Sequence, residues 1–426
     1  MTLERFGAFP YMARPLRVAL FSGNYNYTLD GANKTLNRLV GHLLHEAGFQ
    51  VRVYSPTSPT PAFPPVGDLV SVPSTPIPLR PDYRMTFGLT PKAQRDVEAF
   101  RPDVIHLSAP DPLGLGALRL ARKLDVPVVA TVHTHFGDYL DYYALGWLKP
   151  FLLSRIEALY NACDYVLAPT RSIADEMAAA GARGVRVWGR GVDHVLFNPE
   201  RRSDAFRRAN GFEGRKVVVF LGRLVMEKGL GVFVEAVERL KRVHGDFGVM
   251  VIGEGPAAPW FKAQLPEAVF TGFLSGEALA TALASGDLLF NPSTTETFGN
   301  VNLEAMACGL PVVCADVANS RTLVRHGDTG LLCSPLDPKA YSDAMASLLA
   351  APQRLSAMGR QAHLACADHS WPQILNQMVE VYAEAVCAPR NGPKSRGVRE
   401  RLGARGFDLR ELVQGAYVQR AALSGD

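Results

Sequence analysis

The sequence predicts an α/β protein built from two parallel-sheet domains, and three observations predict it. Short apolar runs alternate with stretches of helical periodicity, the order that produces strand–helix–strand units and a parallel sheet. The alternation begins at Leu16, breaks at the turn-rich segment GRGVDHVLFNPERR and restarts at Lys216. The 426 residues exceed one ordinary core and suit two of roughly 150–200 residues each.

The elements follow in order. Leu16 to Ser22 is a strand ending at Gly23, and a polar loop carrying Asp30 and Gly31 leads to a helix from about Ala32 to Ala47, stopped by Gly48. Within that loop DGANKT has Lys34 three residues beyond Gly31, the wrong spacing for a phosphate-binding P-loop. Val51 to Tyr54 is the next strand. Pro56 to Pro81 holds nine prolines and reads as an extended surface loop with one short strand near Leu69 to Val72. A helix over Thr90 to Phe100, a buried strand over Val104 to Leu107, a helix over Leu115 to Lys123 and a strand over Val128 to Val132 come next. That strand ends at His133, placing an imidazole where parallel sheets gather their ligands. Trp147 to Asn161 is an amphipathic helix that packs on the core or lies on a membrane surface. Asp164 to Ala168 and Val185 to Trp188 are strands, with a helix over Ser172 to Ala180 between them.

The second cycle opens with the strand Lys216 to Leu221, whose loop carries Gly222, Arg223 and Lys228 ahead of a helix from Gly231 to Arg242. Two cations beside a helix N-terminus suit a diphosphate, and pair equally well with surface carboxylates. Gly248 to Gly253 is a strand followed by GEGPAA. No acidic residue ends the next strand, Val269 to Gly272, so a nicotinamide fingerprint is rejected. Strand Leu288 to Asn291 enters TTETFGNVNLEAMACGLPVV, where Glu296 and Glu304 stand eight residues apart around an FGN turn. Asn300 is read as the N-cap of a helix Val301 to Cys308, ended by Gly309 and Pro311, with the amides of Phe298 to Asn302 at its positive end. A lone pair of glutamates at this spacing can simply cap or solvate a helix; the company of Arg223, Lys228 and His133 distinguishes this one. Strands Gly309 to Cys314 and Gly330 to Cys333 follow, then helices to about Val386, the longest Trp371 to Cys387, and a short terminal helix over ELVQGAYVQRAAL.

Composition narrows the classes. Of the formal net charge of +4, all of it lies beyond Pro389, where eight Lys or Arg face four Asp or Glu, so the body is near neutral and no broad nucleic-acid surface is expected. The six cysteines show no zinc spacing and read as buried thiols of a reducing compartment. Neither a signal core nor a run of about 20 apolar residues is present, and a cytoplasmic chain is expected.

TETFGNVNLEAMACGLPVV, GRLVMEKG, WGRGVDHVLFNP, HLSAPDPLG and HTHF, in these positions, resemble retaining nucleotide-sugar glycosyltransferases of the GT-B type, family 4. Among them the chain is most similar to the bacterial lipid-directed subgroup of sulfoquinovosyl- and mannosyl-transferases. The resemblance covers about Leu16 to Val386. It implies two Rossmann-like domains facing a central cleft: an acceptor domain at 14–195, a donor domain at 196–370, a helix at 371–388 crossing back to the first, and a basic flexible tail at 389–426. It implies that Glu304 binds the donor ribose and that Arg223 and Lys228 hold the diphosphate without a metal or cofactor. Glu296 and the amides of Phe298, Gly299, Asn300 and Val301 would contact the transferred sugar. Gly31 and Gly222 would flank the phosphates, with His133 beside the sugar. Asp30, Asp111 and His135 are the acceptor-side candidates. Related enzymes carry an acidic or amide residue where this chain has His135, a departure that bears on the sugar or the acceptor rather than on the reaction.

The resulting expectation is transfer of a hexose-type unit from a UDP- or GDP-sugar to a hydroxyl of a membrane lipid of diacylglycerol, glycolipid or ceramide type. Fixed cations and a helix N-terminus would stabilise the departing phosphate. Only Glu296 is available as a nucleophile for double displacement, and the resemblance places it against sugar hydroxyls, so same-face substitution is favoured. A soluble acceptor, an epimerase or phosphorylase of the same architecture, and a non-catalytic nucleotide-sugar-binding module are the competing readings. The basic tail and the helix around Trp147 to Arg155 point to peripheral membrane contact.

Overall fold

A computed structural model describes residues 14–28, 31–77, 80–133 and 149–388. Strands β1 (Arg17–Phe21), β2 (Gln50–Ser55), β3 (Asp68–Ser71), β6 (Val104–Leu107), β7 (Val128–Thr131), β8 (Tyr165–Ala168) and β9 (Val185–Val187) form one sheet in the order β3-β2-β1-β6-β7-β8-β9. Between β3 and β6, β4 (Ser74–Ile77) and β5 (Arg80–Thr86) pair antiparallel as a separate two-stranded ribbon. The sequence reading placed the part of this region up to Pro81 in an extended loop. Its prolines prevent it from joining the main sheet as an inner strand, yet an isolated ribbon keeps one side of each strand free of ladder bonds and tolerates them.

The second sheet contains β10 (Lys216–Leu221), β11 (Phe247–Ile252), β12 (Val269–Gly272), β13 (Leu288–Asn291), β14 (Val312–Ala315) and β15 (Gly330–Cys333), in the order β12-β11-β10-β13-β14-β15. All five pairings are parallel. The run KVVVFL explains why. Val217 and Val219 face a core shared with Leu303, Ala305 and Met306, while Val218 and Phe220 face another shared with Phe233, Val237 and Leu240. A strand buried on both sides has no polar alternation, and helices cover both faces. Phe220, Phe233, Phe261 and Phe290 interlock edge-on and stacked in the second of these cores.

The described residues divide into two compact units within the bounds Met1–Leu29, Leu36–Val129 and Val379–Asp426 for one, and Asp30–Thr35 and Ala130–Met378 for the other. Within the first, the buried His106 ring on β6 hydrogen-bonds to the Tyr382 hydroxyl at 2.5 Å. Within the second, Trp188 Nε1 donates to the Ile374 carbonyl at 2.8 Å. The cysteines are free thiols, five of them buried. No helix among the described residues is long and apolar enough to cross a membrane. The expected terminal helix and Trp147 lie outside the described residues; the helix after Trp147 spans Lys149–Asn161.

Candidate active site

Because β10 lies between β11 and β13, the loops leaving those three strands share the carboxyl edge of the second sheet. Two of them pack backbone on backbone. Gly222 N–H donates to the Ile252 carbonyl at 3.0 Å and Leu224 N–H to that of Glu254 at 2.8 Å. A Cβ on Gly253, whose φ is 139°, would strike the Gly222 carbonyl oxygen. The glycines of GEGPAA therefore serve loop-to-loop contact, in keeping with the rejected nicotinamide fingerprint.

Lys228 closes the 3-10 turn Met226–Lys228, immediately before the helix Leu230–Val243. Its Nζ donates to Glu296 Oε1 at 2.7 Å, with the two side chains only 24% and 20% exposed. This bond ties the loop after β10 to the loop after β13. Lys228 retains two more N–H donors. Arg223 is half-exposed and bonds to Glu227 at 3.3 Å. Glu296 has a second tether, its carbonyl accepting from Asn319 Nδ2 at 2.7 Å. Asn319 Oδ1 in turn accepts from the Thr170 hydroxyl at 2.9 Å and the Ser172 hydroxyl at 3.2 Å. Sequence reasoning missed Asn319 and Thr170, because nothing in the chain links positions so far apart.

The helix carrying Glu304 spans Asn300–Ala307, and its N-cap is Gly299 (φ 94°), not Asn300. The chain reverses here through left-handed backbone, which glycine adopts without a Cβ penalty. Asn300 becomes the first helical residue, and Leu303 N–H bonds to the Gly299 carbonyl at 3.1 Å. Buried Asn302 accepts from Asn291 Nδ2 at 2.8 Å, fixing the helix start to the end of β13. A Cβ on Gly31, the first residue of the helix Gly31–His45, would lie 2.8 Å from Asn300 Nδ2. The Asn300 Oδ1 atom is buried without a hydrogen-bond partner. Glu304 is half-buried one turn inside the helix. The Phe298 side chain is a core residue, edge-on to His369 at 6.2 Å, so any ligand contact from it comes from the main chain. Val301 is half-buried beside it. The first amides of a helix lack intrahelical partners and carry partial positive charge, which favours anionic or hydroxyl oxygens.

His133 follows β7. Its Nε2 is 2.8 Å from the Thr131 hydroxyl and its Nδ1 3.0 Å from Arg190 Nη2. Arg190 was not singled out from the sequence; it is 4% exposed and donates to the carbonyls of Trp188 and Gly189. Burial pulls its guanidinium down to about 10. Trp188 packs edge-on to His133 and under the guanidinium.

Of the acceptor candidates, Asp30 and His135 lie outside the described residues. Asp111 belongs to the first unit, where it caps the helix Pro112–Leu124 by accepting from Gly114 N–H at 2.7 Å. Burial raises its carboxyl to about 6. No three His, Cys, Asp or Glu among the described residues converge as a metal site. A cavity of about 580 Å³ occupies the opposite, amino-terminal edge of the second sheet, beside Lys216, Asp287 and Arg360. Its polar wall is structural. Asp287, with its side chain 7% exposed, binds Arg202, Arg207 and Lys216 at 3.1, 3.2 and 3.3 Å.

Comparison with known proteins completes the picture. Residues 215–351 match the family model of glycosyl transferases group 1, and residues 29–196 that of glycosyltransferase family 4. The chain is 32% identical over 376 residues to the sulfoquinovosyl transferase SQD2 of Arabidopsis thaliana, covering 84% of this chain and 72% of that one. It is 33% identical over 386 residues to a GDP-mannose-dependent alpha-mannosyltransferase of Mycolicibacterium smegmatis, covering 88% and 99%. Among solved structures, sucrose-phosphate synthase from Thermosynechococcus elongatus superposes with a TM-score of 0.70 at 21% identity, covering 88% of this chain and all of that one. HepE of Anabaena with UDP and glucose gives 0.66 at 17%, covering 86% and 99%. Two parallel α/β sheets and these likenesses define a glycosyltransferase of GT-B architecture. The chain belongs to glycosyltransferase family 4.

Proposed function

We propose that the protein is a retaining, metal-independent hexosyltransferase that moves a sugar from a UDP- or GDP-sugar to a hydroxyl of a membrane lipid. The observation that carries this reading is the Lys228–Glu296 bond at 2.7 Å, set beside the N-terminus of the helix that bears Glu304. On this reading Glu304 takes the ribose hydroxyls, and Arg223 and Lys228 take the diphosphate. Glu296, already fixed at its carboxylate and its carbonyl, takes a hydroxyl of the transferred sugar. When the anomeric bond breaks, negative charge grows on the departing phosphate. Two cations and the first amides of the helix stabilise it without reorganising. Glu296 bonded to Lys228 is a poor nucleophile, which favours attack from the leaving-group face, with a donor phosphate oxygen accepting the acceptor's proton. The GDP-mannose-dependent relatives support a nucleotide-sugar donor, and the resemblance to lipid-directed enzymes supports the acceptor.

The test is a thermal-shift panel of UDP, GDP, ADP and their sugars, with and without chelator, followed by transfer of the labelled sugar to diacylglycerol in vesicles. A ligand at 100 times its Kd stabilises by about 2.7 kcal/mol. A shift unaffected by chelator and an α-linked product from an α-linked donor are expected. Inverted product, or stabilisation only with metal, would remove the mechanism. Transfer to soluble alcohols but not to vesicles would remove the lipid acceptor, and donor conversion without any acceptor would indicate an epimerase.

A further inference from the structure

We infer that Arg190 is a positioning residue that locks His133 as a neutral imidazole carrying its proton on Nε2. The inference rests on the reading above only in placing His133 beside the sugar; the lock itself is a matter of geometry. A guanidinium has N–H donors and no acceptor. At 3.0 Å from Arg190 Nη2, His133 Nδ1 must therefore be the unprotonated, accepting nitrogen. The proton then sits on Nε2, which donates to the Thr131 hydroxyl at 2.8 Å. Protonating Nδ1 would oppose two donors and place two cations in contact within a buried setting, so the imidazolium is disfavoured.

Arg190 is itself held on every side. Two carbonyls accept from Nη1, the Trp188 ring lies 5.3 Å from the guanidinium carbon, and His369 Nδ1 reaches the Arg190 carbonyl at 3.4 Å. No carboxylate among the described residues pairs with it to weaken its hold on His133. Around the His133 ring the described groups are Arg190 at Nδ1, Thr131 at Nε2 and Trp188 edge-on. A ring in this state donates through Nε2 and takes up no proton in the physiological range. With both ring nitrogens engaged, His133 adds no positive charge beside the anomeric carbon and leaves proton acceptance to the donor phosphate.

The experiment is a titration of the full chain labelled with nitrogen-15 histidine, the His133 signals being assigned by their absence in His133→Asn. In the wild type, His133 should show a bare Nδ1 and a protonated Nε2, unchanged from pH 8 to pH 5.5. In Arg190→Gln it should titrate near its ordinary value of about 6.5. The kcat/KM of that variant should then fall about fourfold from pH 8 to pH 6, as expected for a group of that pKa, while the wild type stays flat on the acid side. Wild-type His133 titrating near 6.5, or carrying its proton on Nδ1, overturns the lock, and this holds even if Arg190→Gln does not fold. A His133→Asn enzyme with undiminished kcat/KM, alongside the expected wild-type spectrum, would leave the lock standing and remove the sugar-side role of His133.

Discussion

Asp111 is subject to two opposed effects. Its carboxylate caps a helix, worth about 1 kcal/mol, yet burial raises its pKa from 3.8 to about 6. The folded state therefore binds the proton more tightly than the unfolded chain. This contribution to stability is full below pH 3.8 and is lost as pH rises through 6. Asp111→Asn keeps the acceptor for Gly114 N–H without the charge. It should stabilise the protein at pH 7.5 by up to about 3 kcal/mol on the two-unit shift, and Asp111→Ala should not; urea titrations of the pair check this. On the proposed donor role of Glu304, Glu304→Gln should lose a charged hydrogen bond to ribose, about 1.5–3 kcal/mol, and raise donor KM roughly 10- to 100-fold with little change in Tm. The placement of Glu296 before the helix and Glu304 inside it could be read from the sequence because strand, turn and helix lie within one short segment. Arg190, Thr170 and Asn319 could not, since each acts through a partner brought near only by the fold.

The carboxyl and amino edges of the second sheet make different demands on their loops. At the carboxyl edge, Gly299 at φ 94° starts the Glu304 helix. Gly299→Ala adds about 1–2 kcal/mol of left-handed strain, which rotating the helix start relieves, so donor affinity should fall more than the Tm suggests. At the amino edge, Asp287 accepts from three cations and from Val217 N–H at 2.9 Å, joining the starts of β10 and β13. Asp287→Ala strands buried Arg207 and should cost about 3–5 kcal/mol. In the molecules that remain folded, turnover should be unchanged. Chemical denaturation and active-site-normalised kcat separate the two cases. Strands such as Lys216–Leu221 and Leu288–Asn291 were legible to the residue because continuous apolar runs between turn residues have no other use. The β4–β5 ribbon was not, because its prolines signal loop and the two residues between its strands, Pro78 and Leu79, are no hairpin-turn pair. The cap misread at Asn300 has a similar cause. Asparagine is the better cap by composition, and the need for positive φ at Gly299 arises from how the chain must turn.

At the scale of the whole molecule, both units draw on the helix Trp371–Cys387, through Ile374 in one and Tyr382 in the other. The two-cycle α/β fold was legible from the strand–helix order, but these long-range bonds were not, since neither Trp188 nor His106 announces a partner in its own neighbourhood. His106 makes the first unit sensitive to acid. Its pKa is held down to about 3 by burial, against about 6.5 unfolded. The unfolded chain binds the extra proton, so this stability is full above pH 6.5 and is lost as pH falls towards 3. About 2 kcal/mol should disappear between pH 6.5 and 4.5. Asp111 acts in the opposite sense in the same unit, gaining stability from pH 6 down to 3.8, and offsets part of the loss. Stability curves at several pH values test the pair. Asp111→Asn should steepen the acid loss, and His106→Gln should flatten it while lowering stability at pH 7.5. Tyr382→Phe should lower stability at every pH by about 1–3 kcal/mol, because it removes a buried hydrogen bond without abolishing the titration. An acid profile unchanged in His106→Gln would mean that other groups, and not this buried imidazole, set the acid limit of the fold.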